Sequence, residues 1–439
     1  MKHSDLPKYI LSYKEKFALD QWEIAHSFDC RFNLIVVIPA IDELKGTKIL
    51  IESLQNQKIN SDFNALILFV VNNHDNHSEE IKNSNHELIN YIDSFKTNLN
   101  MSSASDRKVR LSYIDASSKG KTLPQKDAGV GLARKIGMDL ALSQFDFSSS
   151  KQILVCLDAD CTVSPTYFEE IYKYFLANDC HAASIRFEHP LVGTDEENKA
   201  IVNYEIFLRY YVLGLKFASS SFAFFTIGSS MACSAEAYTK IGGMNKKKAA
   251  EDFYFLEKLS KNYKVHEISK CAVYPSSRGS WRVPFGTGQR VNRFLKYERN
   301  EYLLYNPNSF EILKQWLQIF MAGDVKSEIE YLESANSISP VLYEYLVANN
   351  FASEWKRILD NSKGVNQIQK QKSLWFDGFK TLKFVHYLRD NGFQQVGMFH
   401  ALDIMLKKYG YHTSIKYNSE IPDLETQLKY LILLRDVCR

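Results

Sequence analysis

The sequence has no run of about 20 apolar residues free of charge, so a membrane-spanning helix is not expected. Its most hydrophobic stretch, residues 201–231, carries Glu205, Arg209, Lys216 and the serines Ser219, Ser220 and Ser221. That stretch reads as a buried helix and strand. The N-terminus opens Met-Lys-His-Ser-Asp-Leu-Pro, with no secretory apolar core. Surplus charge is scarce too: 54 Lys and Arg against 51 Asp and Glu leave a net +3. That balance speaks against a nucleic-acid binder built on phosphate contacts. The seven cysteines are odd in number and scattered, with no Cys-x-x-Cys among them. A disulfide framework and a zinc site are excluded on that pattern, and a reducing cytoplasm is the expected compartment. No internal repeat is visible.

What is present is ordinary globular material. The chain has 439 residues, enough for two or three domains, with 45% hydrophobic and 24% charged residues. Residues 1–30 read as a helical lead-in. Apolar strands are then expected at 33–38, closed by Pro39, and at 66–71, 109–114, 153–157 and 182–187. Helical spacing falls between them at 47–57, 128–145 and 165–177. Short apolar strands alternating with helices predict an α/β domain over 31–298, with a mostly parallel sheet and helices on both faces. An aromatic strand is expected at 222–225. From 299 to 439 the pattern is helical (311–320, 325–335, 340–348, 354–360, 378–409), which predicts a separate helical module.

Asp158-Ala159-Asp160 follows the fourth apolar run. It closes that strand, so alternation points both carboxylates the same way. They would then lie at the C-terminal edge of the sheet, where open α/β sheets bind ligands. Two carboxylates there suit a hard cation, Mg²⁺ or Mn²⁺, that fills its shell with water and phosphate oxygens. The other strands end on polar residues at the same edge: Asp42 and Glu43, then Asn72 and Asn73, then Asp115. A solvated loop would also explain any one of these alone.

Taken in order, these pieces resemble family 2 glycosyltransferases of the GT-A fold, a Rossmann-like architecture. The resemblance rests on residues 35–43 (Ile-Val-Val-Ile-Pro-Ala-Ile-Asp-Glu), 69–73, 129–137 (Gly-Val-Gly-Leu-Ala-Arg-Lys-Ile-Gly) and 157–160. It continues through 228–232, 242–244 and Glu251-Asp252, and covers residues from about 32 to 295. It implies a nucleotide-diphospho-sugar donor and a divalent cation, Mn²⁺ or Mg²⁺. By position, Pro39, Asp42 and Glu43 would line the nucleotide. Asn73 stands where the family often has an aspartate against the base, so the base stays open. Asp158 would approach the ribose and Asp160 would bind the metal. Asp252, with Glu251 beside it, would be the catalytic base that takes the acceptor's proton, while the metal steadies the departing diphosphate.

Several assignments keep two readings. Arg134 and Lys126 either reach the donor or are surface cations. Arg278, Trp281 and Arg282 either close over the donor or form a basic surface loop, and they do not match the family's familiar Gln-x-x-Arg-Trp form. His266 is either a third metal ligand or structural.

The resulting expectation is an inverting, metal-dependent glycosyltransferase acting on a hydroxyl-bearing acceptor: a glycan, glycolipid or small molecule. The alternatives are a retaining enzyme on the same fold and a catalytically silent scaffold whose helical module binds partners. A nucleotidyltransferase would need a glycine-rich basic loop after the first strand, which Ala40-Ile41-Asp42-Glu43-Leu44 is not. The expected location is cytoplasmic, with peripheral contact at the inner membrane face as an option.

Overall fold

The computed structural model describes residues 6–99, 109–149, 151–280 and 286–438. The chain divides into two compact units: Met1–Val192 with Thr226–Gln289, and Gly193–Phe225 with Arg290–Arg439.

The first unit is built on β1 (Leu34–Ala40), β2 (Ala65–Asn72), β3 (Val109–Ala116), β4 (Ile153–Cys156), β5 (Thr162–Val163), β6 (Ala182–Phe187), β7 (Met231–Ser234) and β8 (Val265–Tyr274). They form one eight-stranded sheet in the order β3-β2-β1-β4-β7-β6-β8-β5. β7 and β5 run against their neighbours, and every other pair is parallel. β2 is buried along its whole length and β1 at every residue but Pro39, as parallel strands covered on both faces must be. Helices α1 (Lys8–Phe17), α2 (Leu44–Gln55), α3 (Glu79–Asp93), α4 (Val130–Ala141) and α5 (Tyr167–Ala177) belong to this unit. The core joins the sheet to Leu50 and Leu54 of α2, Leu88 and Ile92 of α3, and Phe168 and Phe175 of α5.

Helix α6 (Asp195–Phe217) falls in the second unit, whereas α7 (Ala235–Lys240) and α8 (Glu251–Ser260) return to the first. The unit boundary lies within α9 (Thr287–Leu295). The second unit continues with β9 (Leu303–Leu304), α10 (Pro307–Phe320), α11 (Glu328–Ile338), α12 (Pro340–Ala348), α13 (Phe351–Asn361), α14 (Val365–Trp375), α15 (Gly378–Asp390), β10 (Val396–Gly397), α16 (Met398–Lys408) and α17 (Leu424–Val437). Thr194 and Glu197 close a capping box at the start of α6. Inside this unit, Glu205 of α6 accepts from Arg209 and from Arg435 of α17, so its buried carboxylate is paired. Trp316, Phe320, Tyr331, Phe351 and Trp355 pack into an aromatic core. Buried Lys372 donates to the carbonyls of Ala322 and Asp324 just past α10.

Four details depart from the sequence expectation. Pro39 does not stop β1, which continues to Ala40. β4 pairs with β1 only as far as Val37, so a proline two residues on removes no ladder bond on that side. The lead-in is helical only to Phe17, after which Ile24 bridges to Ile114. Residues 222–225 form no strand. The single helix expected over 378–409 is broken at Gly392, which takes φ 101° between α15 and β10.

Candidate active site

The parallel strands β1 to β4 deliver their C-terminal ends to one edge of the first unit. The polar residues there fall into two clusters of different chemistry.

The first lies at β1, β2 and β3 and is made of amides. Asn72 donates to the carbonyls of Ala40 and Val70. Asn73 donates to the carbonyl of Ser117 at 3.2 Å. Asn85, wholly buried on α3, donates to the Asn72 carbonyl and to Asn73 Oδ1 and accepts the Asp42 backbone N–H at 2.9 Å. Asp42 itself takes φ 49°, an unusual backbone for a residue with a side chain; the Asn85 bond holds that turn. The Asp115 carboxylate accepts from the backbone of Ser117 and Ser118 and from the Ser117 hydroxyl. Burial pushes the Asp115 carboxyl up, but those hydrogen bonds outweigh it and hold it below the ordinary value. The side chains of Asn72 and Asn73 are thus engaged with backbone and with Asn85. Asn85 was missed in the sequence, although an asparagine on the buried stripe of α3 with Leu88 and Ile92 is a readable signal.

The second cluster lies at β4 and α8 and is charged. β4 ends at Cys156, so Asp158 and Asp160 sit in the turn after it rather than on the strand. Strand alternation therefore does not govern them, and each meets a different arginine. Arg134 of α4 donates through Nη2 to Asp158 Oδ1 at 2.5 Å and through Nη1 to Glu251 Oε1. Arg278 donates to Glu43 and lies 3.7 Å from an Asp160 oxygen. Arg134 is 1% exposed, so it is not a surface cation. Lys126 is exposed.

Asp252 follows Glu251 in the first turn of α8 and is half-buried. A helix N-terminus favours its anion by about 0.3–1 kcal/mol. Desolvation of a carboxylate costs several kcal/mol, and the neighbouring Glu251 adds repulsion. Burial and Glu251 win, and the Asp252 carboxyl is pushed up to about 7 despite the opposing pull of Arg134.

His266 does not join this cluster, which corrects its reading as a metal ligand. It lies in β8 opposite Ala183, and its Nδ1 is 3.2 Å from the Tyr174 hydroxyl. Burial and Lys264 hold its pKa below the ordinary value. Trp281 and Arg282 lie outside the described residues. Among the described residues no group of three or more His, Cys, Asp or Glu is arranged to hold a metal ion. The Asp160 and Glu43 carboxylates, already sharing one guanidinium, nonetheless fit a hard cation that takes one or two carboxylates and completes its shell with water and phosphate. All seven cysteines are free. No described helix is long and apolar enough to cross a membrane.

No curated protein matches the chain in sequence. Among solved structures, S. aureus TarS 1-349 aligns at 11% identity over 78% of this chain and 91% of its own, with a TM-score of 0.35. Its complexes with UDP and with UDP-GlcNAc align over the same shares at 12% and 11% identity, with TM-scores of 0.34 and 0.36. These are loose likenesses. Residues 35–242 match the family model of glycosyl transferase family 2.

Proposed function

We propose that the protein transfers a sugar from a nucleotide-diphospho-sugar to a hydroxyl acceptor with inversion, and that Asp252 is the base. The observation that carries this reading is the chain of contacts from Asp158 through Arg134 to Glu251. It ties the start of α8, and with it Asp252, to the turn that carries the Asp-x-Asp pair.

A sugar hydroxyl attacks poorly until a carboxylate takes its proton. A base whose pKa lies near neutrality accepts that proton well and is still ionised in a useful fraction of molecules. The pKa of Asp252, about 7, has that property. Glu43 and Asp158 would meet the nucleotide, with the residue 41–43 turn held open by Asn85. Asp160, with Glu43 beside it, would hold Mg²⁺ or Mn²⁺, which when bound neutralises charge on the departing diphosphate. Arg278 then has to exchange its present carboxylate partners for donor phosphate oxygens, a fork geometry arginine suits. The expected setting is cytoplasmic, with the acceptor a glycan, glycolipid or small molecule.

The test is Asp252→Asn. Turnover with a panel of nucleotide sugars should fall by roughly 10² or more, while nucleotide affinity by calorimetry stays within a few-fold. Full turnover in that variant removes Asp252 from the mechanism. The configuration of the product, read by NMR, separates inversion from retention.

A further inference from the structure

We infer that Arg134 is a positioning residue of the transfer reaction: it touches no substrate, and its two-pronged guanidinium fixes Asp158 and Glu251 together so that Asp252 is held at the nucleotide edge. This deepens the proposed function and rests on it.

Arg134 is among the largest fully buried side chains, 1% exposed, in the second turn of α4. Its two terminal nitrogens are spent on two carboxylates from two other parts of the chain, Asp158 after β4 and Glu251 at the first turn of α8. Its Nε is buried with no hydrogen-bond partner. Of the five N–H groups of the guanidinium, the fork aims one from each terminal nitrogen at a carboxylate.

The surroundings are cleared for it. A Cβ at Gly228 would stand 2.5 Å from Arg134 Nη2 and 2.9 Å from Nη1. A Cβ at Gly131 would stand 2.3 Å from the Lys247 carbonyl oxygen and 3.1 Å from Glu251 Cβ. Gly131 therefore lets the first turn of α4 press against the segment that leads into α8, and Gly228 lets the guanidinium pass. Of the glycines in the 129–137 and 228–232 motifs, Gly228 makes room for the guanidinium and Gly131 for the segment before α8, whereas Gly137 lets α4 close on Val37 and Val70 of the sheet. Asn245 adds a further tie, donating to the Glu251 carbonyl at 2.9 Å.

The consequence for Asp252 is electrostatic as well as geometric. The charged groups that act on it are Glu251 on its own helix, Arg134 from α4 and Asp158 from the turn after β4. The Cys156 thiol of β4 lies in the same group. Arg134 is the sole cation in that set. It favours the ionised base, while Glu251 and Asp158 oppose it.

The experiment compares Arg134→Lys, Gly228→Ala and the double variant Arg134→Met/Glu251→Gln with the parent protein. The readouts are turnover, nucleotide affinity by calorimetry, Tm, and the pH midpoint of turnover. Arg134→Lys keeps the charge but cannot span both carboxylates, and Gly228→Ala displaces the guanidinium without altering charge. Both are expected to lower turnover at least tenfold with nucleotide affinity changed less than threefold. The double variant removes the unpaired buried carboxylate. It should recover Tm close to the parent's, keep turnover low, and move the pH midpoint down, because the removed Glu251 opposed ionisation of Asp252 more than the removed Arg134 favoured it. The inference is overturned if Arg134→Lys and Gly228→Ala keep parental turnover, or if nucleotide affinity falls in step with turnover, which makes Arg134 a donor contact. It is also overturned if the double variant regains turnover along with Tm, which makes the role purely structural. If Asp252→Asn kills turnover while these three variants do not, the proposed function stands and only this inference fails.

Discussion

The sheet edge at β2 and β3 and the sheet edge at β4 and α8 both end in polar residues, yet they use them in opposite ways. At β2 and β3, Asn72, Asn73 and Asn85 bond to one another and to backbone. The Asp115 carboxylate at that edge is held by backbone and hydroxyl donors. At β4 and α8, Asp158, Glu251 and Asp252 crowd around the single cation Arg134. Three carboxylates against one guanidinium leave a site whose charge balance depends on what binds. The first edge is a frame that shapes a loop, and the second is the part able to change protonation state.

That difference makes ranked expectations. Asp160→Ala should lower turnover more than Asn85→Ala does. Turnover falls by roughly 10², and the remaining activity no longer responds to added Mn²⁺ or Mg²⁺ in a metal titration. A variant that still requires metal would move the cation away from Asp160. Asn85→Ala should act through stability. It strips partners from the Asp42 N–H, the Asn72 carbonyl and Asn73 Oδ1, at a cost of about 1–3 kcal/mol in denaturant unfolding. Turnover per folded molecule should suffer less than in Asp160→Ala. An Asn85→Ala protein of parental stability would mean that the amide frame is dispensable.

The smallest effect concerns stability and pH. The Asp252 pKa is raised in the folded state above its unfolded value, so folding prefers the protonated form. The ionised form is a liability that grows as pH rises from about 4 to about 7 and is constant above that. Asp252→Asn should therefore raise Tm relative to the parent at pH 8 and show a smaller gain at pH 5. Equal Tm differences at both values would place the Asp252 carboxyl in ordinary solvent.

Much of the fold could be read from the chain because β1, β2 and β4 are apolar runs, buried almost throughout. β8 was not readable: its Val-His-Glu-Ile-Ser-Lys-Cys-Ala-Val-Tyr sequence is exposed or half-buried at six of its ten positions, and its order comes from pairing with β6 and β5. The place of His266 is set by that pairing, opposite Ala183. The 158–160 aspartates were visible as an acidic pair, but which arginine each would meet was not, since Arg134 and Arg278 come from distant parts of the chain. Glycines at 131 and 228 were visible as motif letters; their steric purpose needed the position of Arg134.

The most direct test of the account is the pH dependence of turnover in the parent protein, at saturating donor, acceptor and metal. If Asp252 takes the acceptor's proton, turnover rises about tenfold per pH unit on the acid side, bends where Asp252 ionises in the loaded enzyme and stays level above it. A profile that is flat from pH 5 to 9, with chemistry shown to limit the rate, contradicts the account.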